Sequence, residues 1–119
     1  MRLKHYVLEV SYKRSMRKSP DYVTVSKRNL DALRHMIAER YLSTPAQSPV
    51  ARVIVYRQNN VISAAKSYGE TPWHVAEPEY QGEMYAEADS LFWKTKSDTR
   101  YKVDPRTGWL QGSQLNRRL

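Results

Sequence analysis

The chain contains no cysteine. Disulfide scaffolds, thiol nucleophiles and cysteine-based zinc sites are thereby excluded. Glycine is scarce: Gly69, Gly82, Gly108 and Gly112 are too few and too scattered for a phosphate-binding loop or a dinucleotide fingerprint. His5, His35 and His74 stand far apart, so no His-x-x-x-His pair seeds a metal site. No Gly-x-Ser-x-Gly elbow occurs. The longest strongly apolar run, Val53-Ile54-Val55-Tyr56, falls far short of the ~20 residues of a membrane-spanning helix. Glu9 interrupts the apolar character that a secretory leader would need near the N-terminus. The expectation is a cytoplasmic protein with no membrane partner, no cofactor, no metal and no catalytic residue.

What is present is a chain of 119 residues, the length of one domain. A chain this long buries roughly two-thirds of its unfolded surface and needs no covalent staple. Its net charge is +8, unevenly spread. Residues 1–40 carry ten Lys/Arg against four Asp/Glu, and residues 91–119 carry seven against two. Residues 71–90 carry no Lys/Arg and five acids: Glu77, Glu79, Glu83, Glu87 and Asp89. A basic body interrupted by one acidic stretch attracts nucleic acid or acidic proteins through its long-range field.

Hydrophobic periodicity supplies the elements. Tyr6, Leu8, Val10 and Tyr12 alternate with His5, Val7, Glu9 and Ser11, the pattern of a half-buried strand. After the polar loop 13–21, Tyr22-Val23-Thr24-Val25 reads as its hairpin partner. Ser26 then resembles an N-cap, and Leu30, Leu33, Ile37 and Tyr41 form one stripe of a helix over about 27–42. Arg28, Asp31, His35 and Glu39 fall on the opposite face, a solvated stripe of charge pairs. Residues 50–58 are apolar on both faces and read as a central strand. The Asn59-Asn60 turn would return residues 61–68 beside it, with Tyr56 facing Ser63 and Ile54 facing Ala65. Residues 69–90 read as an acidic, loop-rich segment. Residues 91–95 and 100–103 read as strands joined across a two-residue Ser97-Asp98 turn. Asp104-Pro105-Arg106-Thr107-Gly108 is a turn signal with Gly108 at the left-handed position, before a strand opening at Trp109-Leu110. The tail, residues 112–119, is expected to fray. The order β-β-α-β-β followed by a β-rich C-terminal part predicts an α+β domain: a two-layer sandwich with one helix packed on a mixed sheet.

Three basic sites stand out as candidates for nucleic-acid contact. The first is the loop with Lys13, Arg14, Arg17 and Lys18, shaped to track a phosphate backbone. In the second, Lys27 and Arg28 would crowd the positive end of the helix dipole, a cost that a bound anion offsets. The third is the 91–103 hairpin. A two-residue turn sets Trp93 opposite Lys102 and Thr95 opposite Arg100, so one face presents an aromatic flanked by cations. A one-residue slip in that turn would reverse the faces. Nine Tyr and three Trp against one Phe suit half-exposed surfaces. The expected function is a small, basic, non-enzymatic nucleic-acid-binding or nucleoprotein-accessory domain. The alternative is a protein-binding adaptor or inhibitor module, of the kind carried by phages and other mobile elements. Its support is the Tyr/Trp richness and an acidic strip able to mimic nucleic acid. A ribonuclease using His74 for proton transfer is a third reading, with no constellation of residues behind it.

Overall fold

The computed structural model describes residues 2–13, 18–44, 47–58 and 79–111. The strands are β1 (Lys4–Tyr12), β2 (Asp21–Lys27), β3 (Val50–Gln58), β4 (Glu79–Glu87), β5 (Ser90–Thr95), β6 (Arg100–Val103) and β7 (Leu110–Gln111), with one helix, α1 (Leu30–Tyr41), between β2 and β3. They form a single sheet in the order β2-β1-β3-β4-β5-β6-β7. Every described strand pair is antiparallel, so the expected mixed sheet is corrected. The antiparallel pattern follows from hairpin links: β1–β2, β4–β5, β5–β6 and β6–β7 are each neighbours in sequence and in space.

The alternation in β1 is realised on the helix side, but Val7, on the other face, is buried too at 0% exposure, so the expected half-buried strand is covered on both faces at its middle. Tyr6, Leu8 and Val10 join Val53 and Val55 of β3, Met84 of β4, Leu91 and Trp93 of β5 and Val103 of β6 in one buried cluster. Leu33 and Ile37 of α1 enter that cluster at 0% exposure. Burying two such side chains contributes about 1.5–3 kcal/mol each. Ala38, Leu42 and the aliphatic part of Arg34 complete the helix's buried side.

The helix begins later than the sequence suggests. Ser26 is not the cap; its hydroxyl bonds the His5 ring at 2.8 Å within the β1–β2 hairpin. Asn29 takes the role, in extended conformation, its side chain accepting from the Ala32 N–H at 2.8 Å. β2 therefore runs on to Lys27, and pairing with β1 outweighs the first turn of helix. The acid in the first helical turn is Asp31, which complements the dipole.

β3 is central, as expected, but its neighbours are β1 and β4. Tyr56 lies opposite Tyr80 and Ile54 opposite Glu83, so the place assigned to residues 61–68 is held by β4. Residues 61–68 themselves lie outside the described residues. The acidic stretch is not loop throughout: Glu79–Glu87 is a nine-residue strand. Its chain reversal to β5 is the pair Ala88-Asp89, with Ala88 at φ 56°.

The sheet is not flat. Six strand spacings of ~4.8 Å would separate β2 from β7 by about 29 Å. The chain from Lys27 to Asp31 reaches only about 14 Å, yet the Asp31 carbonyl lies against Gly108 in the β6–β7 turn. The sheet therefore curls around α1. Gly108 fits the contact because it lacks a Cβ and sits at φ 78°, the left-handed position expected of it. Arg34 locks the same contact, its Nε donating to the Gly108 carbonyl at 2.7 Å and its Nη2 pairing with Asp31.

Candidate nucleic-acid interface

The β5–β6 hairpin decides what the sheet shows to solvent. Its loop is three residues, 96–98, rather than two. Asp98 N donates to the Thr95 carbonyl at 3.0 Å and Thr95 N to the Thr99 carbonyl at 2.8 Å. Asp98 takes φ 70°, the left-handed residue that follows a type I turn in such hairpins. The register is then Trp93 opposite Tyr101 and Phe92 opposite Lys102. That is the one-residue slip that exchanges the faces.

The consequence for the expected stacking site is direct. Trp93 is 2% exposed and points to the helix side. Its indole lies against Gly82, where any Cβ would sit 2.4 Å from the ring, and the Arg34 guanidinium lies over the ring at 4.9 Å from its centroid. It is a core residue and offers no platform to a base. Arg100 and Lys102 lie instead with Phe92 and Lys94 on the face turned away from the helix.

The remaining candidates are scattered. Lys13 and Lys18 are exposed at the loop end of the β1–β2 hairpin; Arg14 and Arg17 lie outside the described residues. Lys27 is in β2, opposite Lys4 at the other end of that hairpin. Arg28 precedes the cap and is exposed. Neither Lys27 nor Arg28 lies in the helix's first turn, so the anion-binding argument for that terminus does not apply to them. The seven-residue length of β2 puts the two hairpin ends about 20 Å apart. Among the described candidates, Arg100 and Lys102 share one face of the β5–β6 hairpin, and Lys13 and Lys18 share the loop end of the β1–β2 hairpin. His74 lies outside the described residues.

The face away from the helix carries a group that the sequence pattern did not single out. Tyr85 and Phe92 stack across β4 and β5 with centroids 5.9 Å apart and planes at 30°. The Arg100 guanidinium lies 4.1 Å from the Phe92 centroid. Arg52 and Lys94 rim a depression of about 290 Å³ beside Tyr85 and Glu83. Further along the sheet Tyr56 meets Tyr80 edge-on at 6.0 Å. The signal was in the sequence: aspartate tolerates the left-handed region, so Lys96-Ser97-Asp98 was a legible three-residue loop.

Carboxylates accompany most of these cations. Arg100 reaches Glu87 at 2.6 Å, Lys94 reaches Asp98 at 3.0 Å and Arg52 reaches Glu83 at 3.8 Å. Hydrogen bonds that Arg100 donates to Tyr85 and Glu87 favour its charged form, and the bond to Asp98 does the same for Lys94. Lys102 is exposed, with no ion pair among the described residues. Burial and the neighbouring Glu9, whose carboxylate accepts from the hydroxyl at 3.4 Å, push the Tyr56 phenol up to about 12. Burial and Glu83 likewise raise Tyr80. At neutral pH these rings are neutral donors.

A second hollow of about 390 Å³ lies between α1 and the β4–β5 and β6–β7 turns, lined by His35, Glu39, Leu42, Asp89, Leu91 and Pro105 among others. The His35 Nδ1 donates to the Pro105 carbonyl at 2.9 Å, since a carbonyl only accepts, and Nε2 faces Glu39 at 3.4 Å. His35 thus ties the β6–β7 turn to the helix. Among the described residues no group of three His, Asp or Glu converges to hold a metal ion. No helix there is long and apolar enough to cross a membrane.

No protein-family model, curated protein or solved structure matches the chain.

Proposed function

We propose that this protein binds single-stranded nucleic acid on the face of its sheet turned away from α1, as a non-enzymatic accessory domain acting in the cytoplasm. In the two-layer arrangement that we assign to the domain, the helix covers one face; on the other, Val7 and Gln58 are buried at β1 and β3, and the half-buried Tyr85–Phe92 part is left for a ligand. The observation that carries the reading is the Tyr85–Phe92–Arg100 stack, with Lys94 and Lys102 on the neighbouring positions. Ring faces and guanidinium planes stack bases without regard to sequence, and adjacent cations take the phosphates. Lys13 and Lys18 extend the basic surface at one end of the sheet.

The test is fluorescence anisotropy with labelled single-stranded DNA, duplex DNA and RNA, from low to physiological salt. Single strands bind better than duplex. With Lys94, Arg100 and Lys102 each taking a phosphate, the slope of log K against log salt is about −2. Phe92→Ala weakens binding about tenfold, the contribution of one stacked base. Absence of binding at about 150 mM salt, or affinity unmoved by Phe92→Ala, refutes the reading.

One observation favours a protein partner instead. The cations of this face alternate with carboxylates, and so do not form one continuous positive surface. A binder of that kind is an adaptor or inhibitor module, and it shows no salt-dependent nucleic-acid affinity.

A further inference from the structure

The first strand of the sheet order, β2, has β1 as its only neighbour among the described residues. Exposed edges of this length are ordinarily blunted by an inward charge, a bulge or a proline. Within its seven residues, Asp21-Tyr22-Val23-Thr24-Val25-Ser26-Lys27, β2 has no bulge and no proline, and its helix-side charges, Asp21 and Lys27, leave the five residues between them unprotected. Its only charges stand at its two ends and are opposite in sign. Thr24, at its centre, is its one exposed residue, the others being half-buried.

The strand is complementary to itself. An antiparallel pairing centred on Thr24 sets Asp21 opposite Lys27, Tyr22 opposite Ser26 and Val23 opposite Val25 of a second copy, each twice. The register with β1 puts Asp21, Val23, Val25 and Lys27 on the same face as Tyr6 and Val10, the helix side. Their row reads acid, valine, valine, base, and reversal turns it into its own complement. Within one chain Lys27 lies opposite Lys4, a like-charge pair, and it makes no ion pair among the described residues. A second copy supplies the missing carboxylate from its Asp21.

We propose that two copies of this chain join edge to edge through β2, in antiparallel register about Thr24, and so continue the sheet from one protomer into the other. The two-fold axis is perpendicular to the sheet, so both helices fall on one side and both helix-free faces on the other. The contact is one strand wide and belongs to the weak, reversible class of interfaces. It does not rest on the nucleic-acid reading, and its test uses no nucleic acid.

The test is a charge swap followed by sedimentation velocity across protein concentrations from about 1 μM to about 1 mM. The wild-type chain shifts from monomer to dimer over this range. Asp21→Lys sets a base against Lys27 of the second copy, and Lys27→Asp sets an acid against its Asp21; both variants stay monomeric. When the two variants are mixed, each end pairs base with acid, and a heterodimer forms. Circular dichroism verifies that each variant folds; should Asp21→Lys unfold through loss of its bond to Tyr12, the double swap loses that bond too, and Lys27→Asp against the wild-type chain carries the test. The double swap restores the wild-type dimer. A wild-type chain that is monomeric throughout, a dimer indifferent to Lys27→Asp, or a folded double swap that fails to restore association overturns the proposal.

Discussion

Replacing Gly108 by alanine probes the contact that bends the sheet over the helix. At φ 78° an alanine is held in the left-handed region, at a cost of about 1–2 kcal/mol. The added Cβ would stand 1.8 Å from the Asp31 carbonyl oxygen and 2.8 Å from the His35 nitrogen. These are the partners of one helical hydrogen bond, so the methyl group wedges into the α1 backbone, and no flexible side chain can yield in its place. Overpacking of this kind costs about 1–3 kcal/mol. Should the turn retreat instead, the buried Arg34 loses the Gly108 carbonyl that its Nε reaches at 2.7 Å, a bond to a charged group contributing about 1.5–3 kcal/mol. By either route the loss is about 2–5 kcal/mol. A 119-residue domain unfolds with an entropy of about 0.25 kcal/mol/K at its midpoint, so the expected drop in Tm is about 8–20 °C. Thermal and urea unfolding followed by circular dichroism measure it, with Arg106→Ala on the same turn as the control. A loss below about 1 kcal/mol would refute both the helix contact and the curled sheet inferred from it.

Asn29→Ala removes the helix cap and costs about 1 kcal/mol in urea unfolding, and Ser26→Ala leaves the helix start unchanged by amide hydrogen exchange. Ala88→Gly relieves the positive φ of the β4–β5 turn and stabilises by about 0.5–1 kcal/mol in the same assay. For Tyr56, the folded pKa lies above the unfolded value of 10.0, so the folded state holds the phenolic proton more tightly. Its contribution to stability is full below pH 10 and is lost as pH rises toward about 12. Stability of the wild-type chain therefore falls across that window, and Tyr56→Phe falls less; identical slopes for the two chains would remove Glu9 and burial as the cause.

Local elements were legible in the sequence. Alternation placed β1, the apolar run placed β3, and the Pro105–Gly108 signal placed the β6–β7 turn, because each depends on side chains close together in the chain. It also supplied the helix stripe of Leu33 and Ile37, the residues with 0% exposure. Tertiary structure decided the rest. Whether residues 26–28 extend a strand or open a helix depended on pairing with Lys4 and His5, more than twenty positions away. The neighbour of β3 was decided between distant strands, where loop closure separates the alternatives only weakly. The candidate site turned on a single residue of loop length. With period-two alternation, one extra residue in the 96–98 loop sends Trp93 into the core under Arg34 and brings Phe92 to the surface beside Arg100. Composition alone cannot distinguish those two outcomes, since both faces of that hairpin carry an aromatic residue. The turn geometry decides it.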